Sequence, residues 1–152
     1  QLDFVIASIH SNFNQSEEEI MKRIESAMNN PYVDLIAHPT GRILHKRKGY
    51  VVNMEQLIQL ASDTNTALEI NANPMRLDLS VDHLALTKDH DVFIAINTDA
   101  HHIDHLNFMK YGVHHAMKAF VRKEKVINHM SKEAFKTFIE TPKSDRHKRL
   151  KG

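Results

Sequence analysis

Residues 92–101 read Val-Phe-Ile-Ala-Ile-Asn-Thr-Asp-Ala-His. An unbroken apolar run of this length is the pattern of a strand buried on both faces, as in a parallel sheet covered on either side. The run stops at Asn97 and then presents a carboxylate, Asp99, and an imidazole, His101, two positions apart. Strand side chains alternate, so residues i and i+2 leave on one face. Two readings follow. Asp99 is the N-cap of the next helix, a common role for Asp, or Asp99 and His101 share a metal ion.

The same pattern recurs upstream. Phe4-Val5-Ile6-Ala7-Ser8-Ile9 ends at His10, and Val33-Asp34-Leu35-Ile36-Ala37 ends at His38. Ala67-Leu68-Glu69-Ile70 ends at Asn71. Helical patterns separate these runs. Ser16 followed by Glu17, Glu18 and Glu19 is a capping box with acids in the first turn. The helix it starts carries Ile20, Met21, Ile24 and Met28 on one stripe and stops near Pro31. Asn53 caps a helix with Leu57, Ile58 and Ala61, and Ser80 opens one over 81–90. Segments 103–119 and 131–139 also read as helical. The polar, basic stretch 143–152 reads as a frayed tail behind a domain over 1–142.

Strand and helix alternate four times. Such alternation implies parallel strands joined by crossover helices, in a barrel or in an open doubly wound sheet. In either, all strands point the same way, and ligands gather at their C-terminal ends. His10, His38, Asn71, Asp99 and His101 would therefore converge on one rim.

Imidazole and carboxylate together suit Zn, Mn or Fe, and a thiolate-free set suits a catalytic rather than a structural site. The chain has no cysteine, which excludes disulfides and thiolate zinc sites and fits a reducing, cytoplasmic setting. A Ser/His/Asp nucleophile lacks its G-x-S-x-G elbow, although Ser8 and Ser11 flank His10. With only 4 glycines, no nucleotide-binding glycine fingerprint is present, and no organic cofactor is expected. The net charge of +1 gives no global field for nucleic acid. No apolar run approaches the roughly 20 residues of a membrane span, and the start does not resemble a signal peptide.

Taken singly, each of these groups has an ordinary alternative. A lone His at a strand end is often a hydrogen-bonded structural residue, and His102, His105, His114, His115, His129 and His147 read as solvated. Glu69 shares a face with Asn71 and either pairs with a neighbouring helix or supports the metal ligands. Arg42 and Arg76 follow two strand exits. They match phosphate oxygens or are simply solvated. The cluster His45-Lys46-Arg47-Lys48 is a solvated loop or a contact for a nucleic-acid backbone. The chain opens Gln1-Leu2-Asp3 without an initiator Met and runs at once into a strand, the expectation for a piece of something longer.

Ser8-Ile9-His10-Ser11, His38-Pro39-Thr40-Gly41-Arg42, Glu69-Ile70-Asn71-Ala72-Asn73-Pro74, with Arg76-Leu77-Asp78-Leu79 beyond it, and Ile96-Asn97-Thr98-Asp99-Ala100-His101 together resemble the PHP (polymerase and histidinol phosphatase) domain. The version resembled stands at the C-terminus of bacterial family X DNA polymerases. The likeness runs from about Asp3 to Ile139 and includes Tyr111-Gly112-Val113 and Val126-Ile127-Asn128. It implies an α/β fold, a distorted TIM-like (β/α)₇ barrel, of which this chain holds the later strands and helices. It implies a cluster of divalent ions, Mn or Zn with Fe a further option, held by His10, His38, Asp99 and His101. His10 and His38 would share one ion, and Asp99 and His101 would serve the others. Asp99, His101 and His38 would be catalytic, with Asn71, Arg42, Arg76 and Glu69 orienting substrate or supporting the ligands.

The activity implied is metal-dependent 3′–5′ exonuclease-type hydrolysis of DNA in repair. The implied partners are DNA and an upstream polymerase domain, in a bacterial cytoplasm. The family's opening H-x-H motif, with its following Asp, His and bridging Glu, has no match here and would lie before Gln1. With a partial ligand set, the expectation for this chain alone is partial metal occupancy and little activity. A phosphatase of small monoesters, and a non-catalytic module supporting the polymerase, are the other two readings.

Overall fold

A computed structural model describes residues 2–146. Four strands, β1 (Ile6–Ala7), β2 (Leu35–Ile36), β3 (Ala67–Asn71) and β4 (Ile94–Asn97), form one parallel sheet in the order β1-β2-β3-β4. Each is linked to its neighbour through a helix: α1 (Glu17–Asn29), α2 (Met54–Thr64) and the short α3 (Val81–Ala85). Helices α4 (Met109–Lys118) and α5 (Lys132–Glu140) follow. The chain is thus α/β, and its strand order never reverses, whereas an open doubly wound sheet has a switch point. Beyond β4 an isolated bridge and a side-chain amide follow the sheet edge. Val126 bridges Ile94 in parallel, and the Asn128 amide both accepts from Ile96 N–H (2.7 Å) and donates to Ile96 C=O (3.0 Å).

The helices start where their capping residues stand. Ser16 Oγ accepts from Glu19 N–H, and the Glu19 carboxylate accepts from Ser16 N–H at 3.0 Å, closing the box. Asn53, Ser80 and Ser131 each accept from the backbone three residues on. Asn65 ends α2 in the left-handed region, at φ 53°, a conformation asparagine tolerates.

Apart from Ile6 of β1, which is exposed, the strands are buried on both faces, and apolar residues dominate them, with Glu69, Asn71 and Asn97 the polar positions towards their C-terminal ends. Ile36, Leu68, Ile70, Ile94 and Ile96 pack with Ile20, Ile24, Leu57, Ile58 and Ala116 of the helices. Their alternates Leu35, Ala67, Phe93 and Ala95 pack on the other face with Ile127 and with Phe138 of α5. The hydrogen-bonded strands are shorter than the apolar runs: two residues in β1 and β2. An apolar run records burial, and only part of each run reaches a neighbouring strand. The helices read over 81–90 and 103–119 are each split. Leu86–Asp89 and Ile103–Phe108 tighten into 3-10 turns.

The tail expected over 143–152 departs from the sequence reading in its first four residues, and 147–152 lie outside the described residues. Lys143 is buried and donates to Met28 C=O (2.5 Å) and Asn30 C=O (3.2 Å) at the end of α1, carbonyls that also accept from Thr66 Oγ1 and Val33 N–H. Arg146 is buried too. It pairs with Asp34 at 2.6 Å, and its guanidinium lies 4.4 Å from the centre of the Phe138 ring. Basic composition suggested solvation, but these two cations find their partners inside the fold.

Candidate functional site

Each strand delivers its last polar residues to one rim. At the β2 exit, His38 turns through the left-handed region at φ 32°, and at the β4 exit Asp99 does the same at φ 51°. Residues held there cost on the order of 1–3 kcal/mol unless their surroundings compensate, and such residues cluster at functional sites. His10 follows β1, and its ring meets that of His38 edge-on with centroids 5.2 Å apart. Ser8, two positions before it, lies with Oγ 2.6 Å from His10 Nε2.

Glu69, on β3, is the hub between the two ends of the rim. Its Oε2 accepts from His38 N–H (2.7 Å) and from Asn71 Nδ2 (3.3 Å), and its Oε1 accepts from Asn97 Nδ2 (2.9 Å). Asn71, wholly buried, also reaches Asp99 Oδ2 at 3.4 Å. The ion pair with a helix considered for Glu69 is therefore not what forms. Burial raises the Glu69 carboxyl above its ordinary value, while these three donors act in the opposite direction. Burial and then the nearby Arg76 charge lower the His38 pKa below its ordinary value, which favours the neutral imidazole. A neutral imidazole is the form that accepts a proton or ligates a metal.

Asp99 is held from the other side. Arg76 Nε stands 3.6 Å from its Oδ2, and His101 Nδ1 lies 2.8 Å from its backbone carbonyl and 3.9 Å from its Oδ1. The His101 side chain is 79% exposed, against 33% for Asp99. Arg42 stands behind Arg76. Its Nε donates to Arg76 C=O at 2.8 Å and its Nη2 donates to Leu77 C=O, so it shapes the 75–77 loop rather than facing the rim alone. The buried Asp78 takes Thr40 N–H at 3.0 Å and is raised by burial.

The structure thus brings together His10 with His38, and Asp99 with His101, Arg76 and Asn71, with Glu69 between the two groups. Among the described residues it does not bring three His, Asp or Glu side chains close enough to hold a metal ion. The donor chemistry fits a divalent ion best at His38, whose buried Nδ1 has no hydrogen-bond partner, beside the His10 ring. Asn97, Ser8 and Thr40 are the residues that sequence reasoning gave no role. Alternation was the available signal for the first two: Asn97 is two positions before Asp99 and in register with Asn71, and Ser8 is two before His10.

Comparison with known proteins gives the arrangement a context. The chain is 51% identical over 139 residues to the DNA polymerase/3′-5′ exonuclease PolX of Bacillus subtilis, a match covering 91% of this chain and 24% of that protein. It is 32% identical over 108 residues to a probable phosphatase of Clostridium novyi, covering 66% of the chain and 42% of the phosphatase. A probable phosphatase of Caldanaerobacter subterraneus is 34% identical over 74 residues, 47% of the chain and 27% of that protein. The chain therefore spans about a quarter of PolX and under half of these phosphatases. No family model matches the chain. Among the described residues no helix is long and apolar enough to cross a membrane.

Proposed function

The chain belongs to the PHP (polymerase and histidinol phosphatase) family, and on that premise we propose that it is a metal-dependent phosphoesterase acting on DNA 3′ ends, within a bacterial family X DNA polymerase. The reading includes a (β/α) barrel, supported by the unreversed strand order and by the isolated parallel bridge from Val126 to Ile94. The matched PolX carries both polymerase and 3′-5′ exonuclease in its name, and the phosphatases share phosphoester hydrolysis. DNA and a polymerase domain are the partners this reading gives, and repair synthesis in the cytoplasm is its setting.

The observation that carries the reading is the continuous rim from His10 to His101, in which one buried carboxylate, Glu69, ties the His38 backbone to Asn71 and so to Asp99. In this reading His10, His38, Asp99 and His101 hold divalent ions, Mn or Zn. When bound, such ions neutralise phosphate charge and make water a nucleophile near neutral pH. The rest falls to the chain's own groups. Arg76 supplies a planar cation beside Asp99, suited to a phosphoryl oxygen. Neutral His38 accepts a proton at its free nitrogen or offers that nitrogen as a ligand. Glu69 and Asn71 hold the rim's backbone and side chains in place, so that little reorganisation is needed during reaction. The second reading, a phosphatase of small monoesters, rests on the matches to probable phosphatases.

The test uses the full-length protein with Mn²⁺. An end-labelled single-stranded oligodeoxynucleotide and p-nitrophenyl phosphate are offered in parallel. Release of mononucleotides from the 3′ end, with little ester hydrolysis, is the expected outcome. The reverse preference establishes the monoester reading, and cleavage of neither with metal bound overturns both in favour of a non-catalytic module.

A further inference from the structure

The segment after His38 forms a loop that the rim itself does not require. Its neck is closed by Tyr50 N–H donating to Thr40 C=O at 3.1 Å. Glycines at both ends make the neck possible. Gly41 and Gly49 sit at φ 63° and 97°, and a Cβ on Gly49 would stand 2.5 Å from Thr40 C=O. Inside the neck, Ile43 and Arg47 exchange hydrogen bonds of 2.8 and 2.7 Å, folding residues 43–47 into a tight turn with His45 in the left-handed region.

The basic side chains of this loop divide into two kinds. Arg42 and Arg47 are structural: Arg42 is fastened to the 76–77 carbonyls, and Arg47 gives two hydrogen bonds to Gly41 C=O and lies 4.3 Å over the Phe13 ring. His45, Lys46 and Lys48 are exposed at the tip, and none of the ion pairs among the described residues includes either lysine. The turn is also bolted to the rim. Leu44 N–H donates to Met75 C=O at 2.7 Å, one residue before the Arg76 that reaches Asp99. A stiff turn carrying uncompensated cations beside an anion-processing rim loses little entropy on binding.

We infer that the 41–49 loop is an electrostatic clamp for the sugar-phosphate backbone of a single DNA strand, with Lys46 and Lys48 contacting phosphates while the terminal nucleotide lies at the rim. The clamp deepens the DNA reading above and rests on it for the identity of the strand. A small phosphate monoester has one phosphate and gains nothing from cations spread along a loop, so the loop favours a polymeric substrate.

The experiment measures binding alone, in EDTA, where no turnover occurs, so a failure of the catalytic reading leaves it interpretable. Fluorescence anisotropy of a labelled single-stranded oligodeoxynucleotide is followed over a salt series with this chain. The Lys46→Ala/Lys48→Ala variant is compared with a charge-matched control, Lys110→Ala/Lys118→Ala on α4, and circular dichroism confirms that each is folded. Each phosphate contact contributes about 0.7 to the slope of log affinity against log salt on single strands. The loop variant should therefore lose about 1.4 from that slope and weaken most at low salt, while the control keeps the wild-type slope. No binding by the wild type, an unchanged slope in the loop variant, or an equal loss in the control overturns the clamp.

Discussion

At the scale of the residue, Asp99 is the most exposed test of the reading. Its carboxylate is the point at which Arg76, Asn71 and His101 meet. Asp99→Ala should lower DNA cleavage by the full-length protein by at least about a hundredfold, in the range of a lost electrostatic contributor, with an unchanged melting temperature. Full retention of cleavage would remove Asp99 from the site. Two other titratable residues bear on stability alone. Burial lowers both His83 and His115, and His115 Nε2 lies 3.0 Å from Leu79 C=O. A folded pKa below the unfolded one means that the unfolded chain takes up the proton first as pH falls. Stability from these groups is present above their ordinary value near 6.5 and is lost below it. The urea midpoint should fall between pH 7.5 and 5.5, and His83→Gln/His115→Gln should flatten that dependence. The rim positions were legible residue by residue, because a strand exit is a property of the local pattern. The contacts between them were not: that Glu69 serves His38, Asn71 and Asn97 at once depends on strand register, which one chain's periodicity does not state.

At the scale of the element, the helix starts were written in the sequence and the interiors less so. Ser16, Asn53, Ser80 and Ser131 all cap as their side-chain chemistry dictates. The 3-10 turns at Leu86–Asp89 and Ile103–Phe108 were not legible, since apolar spacing near three to four residues suits either helix over one or two turns. α4 shows how packing overrides propensity. A Cβ on Gly112 would meet Ile96 Cγ2 at 2.5 Å and Ala72 Cβ at 2.7 Å, so the helix lies against β4 and the end of β3 through the absence of a side chain. Gly112→Val gains a few tenths of a kcal/mol in helix propensity but overpacks this contact, at a cost of about 1–3 kcal/mol. The net loss should appear as a lower urea midpoint with an unchanged slope.

At the scale of the whole molecule, the α/β alternation and parallel sheet followed from the pattern, while the closing of the chain on itself did not. Composition marked 143–146 as solvated, yet Arg146 forms a buried pair with Asp34, which also accepts from Val5 N–H at 2.7 Å. Removing one partner of a buried pair strands the other charge and costs about 3–5 kcal/mol. Arg146→Ala should lower the unfolding free energy by that amount, measured by denaturant titration, whereas Lys136→Ala, at an exposed helical pair, should cost under about 0.5 kcal/mol. The Lys143 contact with Met28 joins residues 115 apart in sequence. A ribosome must therefore add a further 115 residues after Met28 before the first helix receives its terminal cation. Until then a nascent chain carries α1 without its terminal lysine and Asp34 without its arginine, a half-built state open to proteases and to chaperones.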